Sequence, residues 1–146
     1  MNDTIDPSVA RLETSKECDQ FIENVRTQHP ALAVQAERRA VQLLAQGHTT
    51  ASEAEQEAWE TIYAFERMQF QKNGKKMRAA RTRNLITRLG VIKAVESIVE
   101  KPDPMIGYDA LKTMGLEHLS FESIVLKYPE LFSEATRATA TKRLAK

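Results

Sequence analysis

Apolar residues recur at helical spacing along most of this chain. The first stripe runs from Cys18 to Val25 and places four apolar residues at positions i, i+3, i+4 and i+7, a spacing typical of an amphipathic helix. Thr14 and Glu17 precede it with the spacing of a capping box, in which each side chain binds a free backbone N–H of the helix start. This helix should end before Pro30, because the residue before a proline is pushed out of the α region.

Two longer helices are expected next. The second spans about residues 31–46, and Pro30 is suited to its first position. The third follows Thr50 and Glu53, which repeat the capping-box spacing. It should end near residue 72, because the Asn73-Gly74 pair that follows is a strong turn signal.

The helices predicted beyond Gly74 are shorter. They cover residues 75–89, 91–99 and 108–114 and two segments that start after Ser120 and Ser133. No segment shows the alternating pattern of a strand, and no period of 20–50 residues repeats. The pattern therefore predicts an all-α fold, a compact domain of about six to seven helices with short helices at its C-terminal end.

The predicted organisation has three parts. Residues 1–13, interrupted by Asp6-Pro7, are expected to form a flexible lead-in. Residues 14–101 would form a helical core that includes the basic helix. Residues 102–146 would form a C-terminal subdomain of short helices packed on that core, with the prolines after residue 101 marking the junction.

The composition bears on the compartment. Apolar residues make up 42% and charged residues 28% of the 146 residues, as in an ordinary globular domain. Cys18 is the only cysteine, which fits a small core residue in a reducing compartment. The polar, acidic start lacks the apolar region of a signal peptide, and no apolar run approaches the ~20 residues that cross a bilayer. We therefore expect a cytoplasmic protein with no membrane partner.

Charge is distributed unevenly along the chain. Residues 1–66 hold 12 acidic and 5 basic side chains, whereas the stretch from Arg67 to Val95 holds nine basic side chains and no acidic one. The nine are Arg67, Lys72, Lys75, Lys76, Arg78, Arg81, Arg83, Arg88 and Lys93. Such a run is typical of a surface that binds polyanions.

A helical wheel of residues 75–89 sorts these cations. Thr82, Leu85, Ile86 and Leu89 gather on the side that should face the core, whereas Arg81 and Arg88 share another face with Asn84. Arginine suits phosphate because its planar fork donates two hydrogen bonds at once. The residues predicted to bind nucleic acid are Arg78, Arg81, Arg83 and Arg88 on the helix and Lys72, Lys75 and Lys76 in the preceding loop.

The cationic run also has interpretations that do not involve nucleic acid. Cations at the end of the third helix complement its macrodipole, and part of the run can pair with the acidic first half of the same chain. The main alternative to nucleic-acid binding is a protein–protein interaction module or homodimer that uses the acidic N-terminal half and the basic middle.

Residues 85–99, LITRLGVIKAVESIV, suggest a helix-turn-helix around Gly90. The apolar residues Val95 and Ile98 stand one position earlier than that motif requires, and the second helix is too apolar to read bases. We therefore interpret residues 91–99 as a core helix with Lys93, Glu96 and Ser97 facing solvent, and assign the contact role to the preceding helix.

Two short segments resemble known proteins. The block KNGKKMRAARTR resembles segments of uncharacterised small all-helical bacterial proteins. Residues 111–132, LKTMGLEHLSFESIVLKYPELF, resemble one unit of the mitochondrial transcription termination factor repeat, a helical module that binds nucleic acid as a solenoid. The first likeness implies a helical bacterial protein with no stated activity, and the second implies nucleic-acid binding without assigning a role to any residue.

No catalytic or metal-binding pattern emerges. The three histidines, His29, His48 and His118, lack the i, i+4 spacing of metal ligands. Tyr108 and Lys112 match the Tyr-x-x-x-Lys pair of short-chain dehydrogenases but lack the glycine-rich βαβ unit that gives the pair its meaning. The sequence thus predicts a protein without enzymatic activity, cofactor or metal that binds nucleic acid, DNA rather than RNA.

The aromatic residues of the third helix are expected to lie in the core. These are Trp59, Tyr63, Phe65 and Phe70. Phe70, next to the basic stretch, is the candidate for an exposed ring that stacks on a base.

Overall fold

The fold is known from a computed structural model that describes residues 5–74, 79–101, 111–112 and 115–145. Within these ranges the chain is helical and contains no strand, which confirms the all-α prediction. The helices are α1 (Pro7–Ala10), α2 (Ser15–Val25), α3 (Pro30–Ala45), α4 (Glu53–Asn73), α5 (Ala80–Leu89), α6 (Val91–Glu100), α7 (Phe121–Lys127) and α8 (Glu134–Leu144). Short 3-10 turns lie at Glu117–Leu119 and Pro129–Leu131.

The chain divides into two compact units between Thr49 and Thr50. The sequence pattern predicted the main junction after residue 101, in a stretch of which residues 102–110 lie outside the described ranges. Helices α4 to α8 instead belong to one unit, because α8 packs on both α6 and α7 and these pack on α4. The junction that composition alone missed is a short turn between two strongly helical segments.

The first unit contains α1, α2 and α3. Helix α1 replaces part of the expected flexible lead-in: the Asp6 side chain accepts a hydrogen bond from the Ser8 backbone N–H (2.9 Å), and Val9 is fully buried. Arg39 of α3 donates to the Leu12 carbonyl (3.0 Å), which ties the segment before α2 to α3. Cys18 is buried, as expected of a small core residue.

Local capping decides where several helices begin. Thr14 and Glu17 form the predicted capping box at the start of α2. The box predicted at Thr50 and Glu53 is wrong, because Ser52 caps α4 by accepting a hydrogen bond from the Glu55 N–H (3.3 Å). Helix α4 ends at Gly74, as expected, and the positive φ of 71° there suits glycine.

The core of the second unit lies where α4, α6, α7 and α8 meet. Its fully buried or nearly buried members are mostly aliphatic and include Ala58, Ile62, Val95, Val99, Phe121, Ile124, Val125 and Phe132. Trp59 and Phe65 of α4 and Ile86 of α5 pack against this cluster and are partly buried. Aromatic and aliphatic packing therefore joins the helices of the second unit, as the periodicity predicted.

Shielded carboxylates add polar ties between distant parts of this unit. Glu57 of α4 accepts hydrogen bonds from Lys127 Nζ (2.5 Å) and from the Tyr128 hydroxyl. The hydrogen bond that the Tyr128 hydroxyl donates to Glu57 raises the pKa of Tyr128, because the hydroxyl must keep its proton to donate, and burial adds to this effect. Glu122 of α7 pairs with Arg143 of α8 at 3.1 Å.

Glu96 of α6 forms a tie of the same kind to the start of α8. Its Oε2 atom accepts a hydrogen bond from the Ser133 N–H (2.6 Å), and Lys93 Nζ lies 3.5 Å from Oε1. Glu96 is only 8% exposed, so the prediction that it faces solvent is wrong. The Ser133 hydrogen bond is the main cause that lowers the pKa of Glu96, since it favours the charged form.

We expect Glu96→Gln to make the second unit less stable at neutral pH by about 1 kcal/mol, the difference between a charged and a neutral hydrogen-bond acceptor. The folded-state pKa of Glu96 is lowered. The stabilisation is therefore present above the unfolded-state pKa and is lost as the pH falls through the folded-state pKa. Urea unfolding followed by Trp59 fluorescence should show a larger difference between wild type and variant at pH 7 than near pH 3.

Glu130→Gln is the matched control, because Glu130 is exposed in the turn before α8. It should leave the unfolding curve unchanged at both pH values. An equal effect of Glu96→Gln at pH 7 and near pH 3 would contradict the role assigned to the ionised carboxylate.

Candidate nucleic-acid interface

The basic helix begins later than its sequence pattern predicted. Helix α5 starts at Ala80, and Ala79 has the non-helical ψ of 71° expected just before a helix. The Ala79 N–H, which has no partner within α5, donates to Glu66 Oε2 of α4 (2.7 Å). A carboxylate at this end also favours the helix macrodipole, so Glu66 fixes where α5 begins.

The same carboxylate holds Arg83. Arg83 Nε donates to Glu66 Oε2 (2.8 Å) and Nη2 donates to Oε1 (2.9 Å), the two-pronged geometry that suits guanidinium and carboxylate. The Arg83 guanidinium also lies over the rings of Trp59 and Tyr63, 5.4 and 5.2 Å from their centroids. Its side chain is only 16% exposed, and the Glu66 hydrogen bond raises its pKa.

Arg83 is therefore a structural residue that joins α5 to α4. The sequence grouped it with the phosphate-binding arginines, but its forked donors are directed at Glu66 and away from solvent. Of the two interpretations of the cationic run, pairing with the acidic first half of the chain is therefore the correct one for Arg83, because Glu66 belongs to that half. We accordingly leave Arg83 out of the candidate interface.

Arg81, Asn84 and Arg88 form the candidate interface together with Lys101. These side chains line one open groove of about 550 Å³, whose other described lining residues are Leu85 and Thr87. Arg81, Asn84 and Arg88 are exposed, and the two guanidinium groups have no ion pair within the described part of the chain. No carboxylate is among the described lining residues, so the described part of the lining carries net positive charge.

Lys101 was not singled out by the sequence. It follows α6 and reaches the groove because α5 and α6 pack against each other across Gly90, whose φ of 85° is one that glycine readily adopts. No local pattern links positions 88 and 101. The carbonyl of Lys101 accepts a hydrogen bond from Arg143, which ties this end of α6 to α8.

Several predicted contact residues lie outside the described ranges. Lys75, Lys76 and Arg78 belong to the range 75–78 that the structure does not describe, and the same holds for the Lys72 side chain. The lysines of the predicted phosphate-binding loop therefore remain predictions from the sequence. Lys93 is exposed on α6 and pairs with Glu96. It is not among the described residues that line the groove.

The hydrophobic face of α5 differs at its end from the helical-wheel prediction. Ile86 packs against the core, and Thr82 and Leu85 are partly buried, as expected of the inner side. Leu89, the last residue of the helix, was expected to face the core but is 46% exposed. Phe70 is also 46% exposed, which confirms that it is the accessible aromatic residue of α4.

Helix α6 has the buried character that the sequence assigned to it. Ala94, Val95 and Val99 are buried in the core of the second unit. The helix–Gly–helix segment therefore presents its first helix, α5, to solvent, whereas a helix-turn-helix reads bases with its second helix.

The described residues hold no group of three or more His, Cys, Asp or Glu side chains placed to bind a metal ion. Among the same residues, none of the helices combines the length and apolar character needed to cross a bilayer. Comparisons with protein-family models, with curated proteins and with solved structures found no match to this chain.

We expect Glu66→Ala to destabilise the second unit by about 2–3 kcal/mol, because it removes the charged acceptor of Arg83 and of the Ala79 N–H together. Urea unfolding followed by Trp59 fluorescence measures this change. Arg81→Ala on the exposed face of the same helix is the control and should change stability by less than about 0.5 kcal/mol.

A double-mutant cycle of Glu66→Ala and Arg83→Met measures the interaction energy between these two side chains apart from their contacts with other residues. If Glu66 and Arg83 act as a unit, the double variant should be clearly more stable than the sum of the two single effects implies. Strictly additive effects would contradict the assignment of this pair as the link between α4 and α5.

Proposed function

We propose that this protein binds nucleic acid, DNA in preference to RNA, through the exposed face of α5, and that it does so without catalysing a reaction. The observation that supports this most is the groove in which Arg81, Arg88 and Lys101 meet with no carboxylate among the described lining residues. Exposed guanidinium groups that form no ion pair with the described residues are available to phosphate, and arginine binds phosphate oxygens in pairs.

The spacing of the two arginines suits an extended anion. Arg81 and Arg88 are seven residues apart on one helix, which separates their Cα atoms by about 10 Å along the axis. One small anion cannot form hydrogen bonds with both guanidinium groups at once, whereas successive phosphates of a nucleic-acid backbone can. This geometry favours a polyanion over a single phosphate or carboxylate ligand.

The number of cations sets the expected salt dependence. Three phosphate contacts, from Arg81, Arg88 and Lys101, predict a slope of about −2.7 for log K against log salt concentration on duplex DNA. A steeper slope would indicate that cations outside the described ranges also bind phosphate. Fluorescence anisotropy of a labelled duplex at several salt concentrations measures the slope.

We expect Arg81→Ala with Arg88→Ala to weaken duplex binding at low salt by about 100-fold or more, because two charged hydrogen-bonded contacts are lost. The salt slope should fall in magnitude by about 2. The double variant should still fold, since both side chains are exposed and the Glu66–Arg83 pair remains.

Lys16→Ala with Arg26→Ala is the matched control, because it removes two exposed cations from α2 and its C-cap in the first unit. This control should bind DNA as the wild type does. Equal losses in both double variants would show that overall charge, and not the α5 face, governs binding. A wild-type protein that binds no duplex at low salt would overturn the proposed function.

A protein-interaction role is the second candidate, and the exposed acidic face of α2 favours it. Lys16, Glu17, Asp19 and Glu23 line an open depression there, and its net negative charge is complementary to the basic groove of a second copy. Sedimentation of the protein alone should then show self-association that weakens as salt is raised. Arg81→Ala with Arg88→Ala should abolish it, and a monomer at low salt would rule it out.

A further inference from the structure

The exposed face of α5 combines two kinds of side chain, and we propose that it enters the major groove of duplex DNA with Asn84 reading an adenine. This inference rests on the proposed function and adds to it a binding mode and a specificity-determining residue. The partner is B-form DNA, and the contacts to its phosphates and to its bases come from different residues.

The exposed arc of α5 has Asn84 near its centre. At about 100° per residue, Ala80 and Thr87 lie on one side of Asn84 and Arg81 and Arg88 lie on the other, within a total arc of about 120°. All five residues are exposed, whereas Ile86 on the opposite side is partly buried against the core, and Arg83, about 100° from Asn84, is partly buried against α4. Apart from Leu89 at its end, α5 therefore exposes one face to a partner, and that face has two distinct edges.

Side-chain length distinguishes the two edges. Ala80, Asn84 and Thr87 are short, so the backbone of α5 can come close to the surface that it contacts. Arg81 and Arg88 are long and reach outward from the other edge. The major groove of B-form DNA is about 12 Å wide and admits an α-helix. With short side chains along one edge and long cationic side chains along the other, α5 can enter the groove while its arginines bind the phosphates of one strand.

Asn84 carries the chemistry for base recognition. Its amide has both a donor and an acceptor, and in the major groove adenine presents the complementary pair, the N6 amino group and N7. Asn84 is exposed, and its side chain has no hydrogen-bond partner within the described part of the chain. The amide is therefore free to form both hydrogen bonds, with Arg81 and Arg88 fixing the register from either side along the helix.

The same geometry predicts that α5 binds duplex DNA and duplex RNA in different ways. The major groove of A-form RNA is deep and too narrow for side chains to read, so a helix cannot bring Asn84 to a base edge there. A duplex RNA would meet only the cationic edge of α5. We therefore expect RNA duplexes to bind through phosphate alone, without preference for sequence.

Selection from a random pool of DNA duplexes tests the inference. The wild-type protein should enrich sequences that share an adenine at a fixed position. Replacing that adenine by another base should weaken binding on the order of 5- to 100-fold, the usual value of one two-pronged contact. Replacing it by 7-deazaadenine, which lacks the N7 acceptor, should weaken binding as well.

Asn84→Ala should lose this preference and retain the weaker binding to any duplex, with an unchanged salt slope. Asn24→Ala, which removes an exposed amide from α2, is the matched control and should keep the preference. A wild-type protein that binds duplexes but selects no adenine, or an Asn84→Ala variant that selects the same site, would overturn the inference and leave the proposed function standing. A protein that binds no duplex at all would overturn both the inference and the proposed function.

Discussion

The position of the basic helix depends on the carboxylate of Glu66. It accepts the N–H of Ala79 at the start of α5 and both forked donors of Arg83 one turn later. Helix α5 contains no buried residue. Its apolar contacts with the rest of the unit come from partly buried side chains such as Ile86. Three hydrogen bonds to one carboxylate at the helix start fix both the place and the rotation of α5, and the rotation decides which cations face solvent.

Carboxylates act in a similar way elsewhere in the second unit. Glu57 reaches Lys127 and Tyr128, Glu96 reaches Ser133, and Glu122 reaches Arg143. Each joins residues at least 21 positions apart. Shielded charged contacts contribute less net stability than apolar packing of equal volume, but a misplaced helix would leave the charge without a partner. We therefore expect their main effect in this unit to be the exclusion of alternative placements of short helices whose apolar faces are small.

The helices could be predicted from the sequence because their signals are local. The capping box at Thr14 and the stop at Gly74 each involve residues within one turn of the helix end. The start of α5 could not be predicted, because it depends on Glu66, which lies 13 positions before Ala79. The grouping of Arg81 and Arg88 followed from helical phase, whereas the pairing of Arg83 and the approach of Lys101 arise from contacts between helices.

Helical phase, and not the number of cations, determines which side chains α5 presents to solvent. Arg83 lies two positions after Arg81, which turns it by about 200° and directs it to Glu66. The exposed face of α5 then keeps two arginines, and Lys101 adds a third cation beside it. The attraction of these cations to phosphate carries no sequence information. Under the proposed function, selective binding by this face requires close approach to the bases, which its short residues Ala80, Asn84 and Thr87 permit.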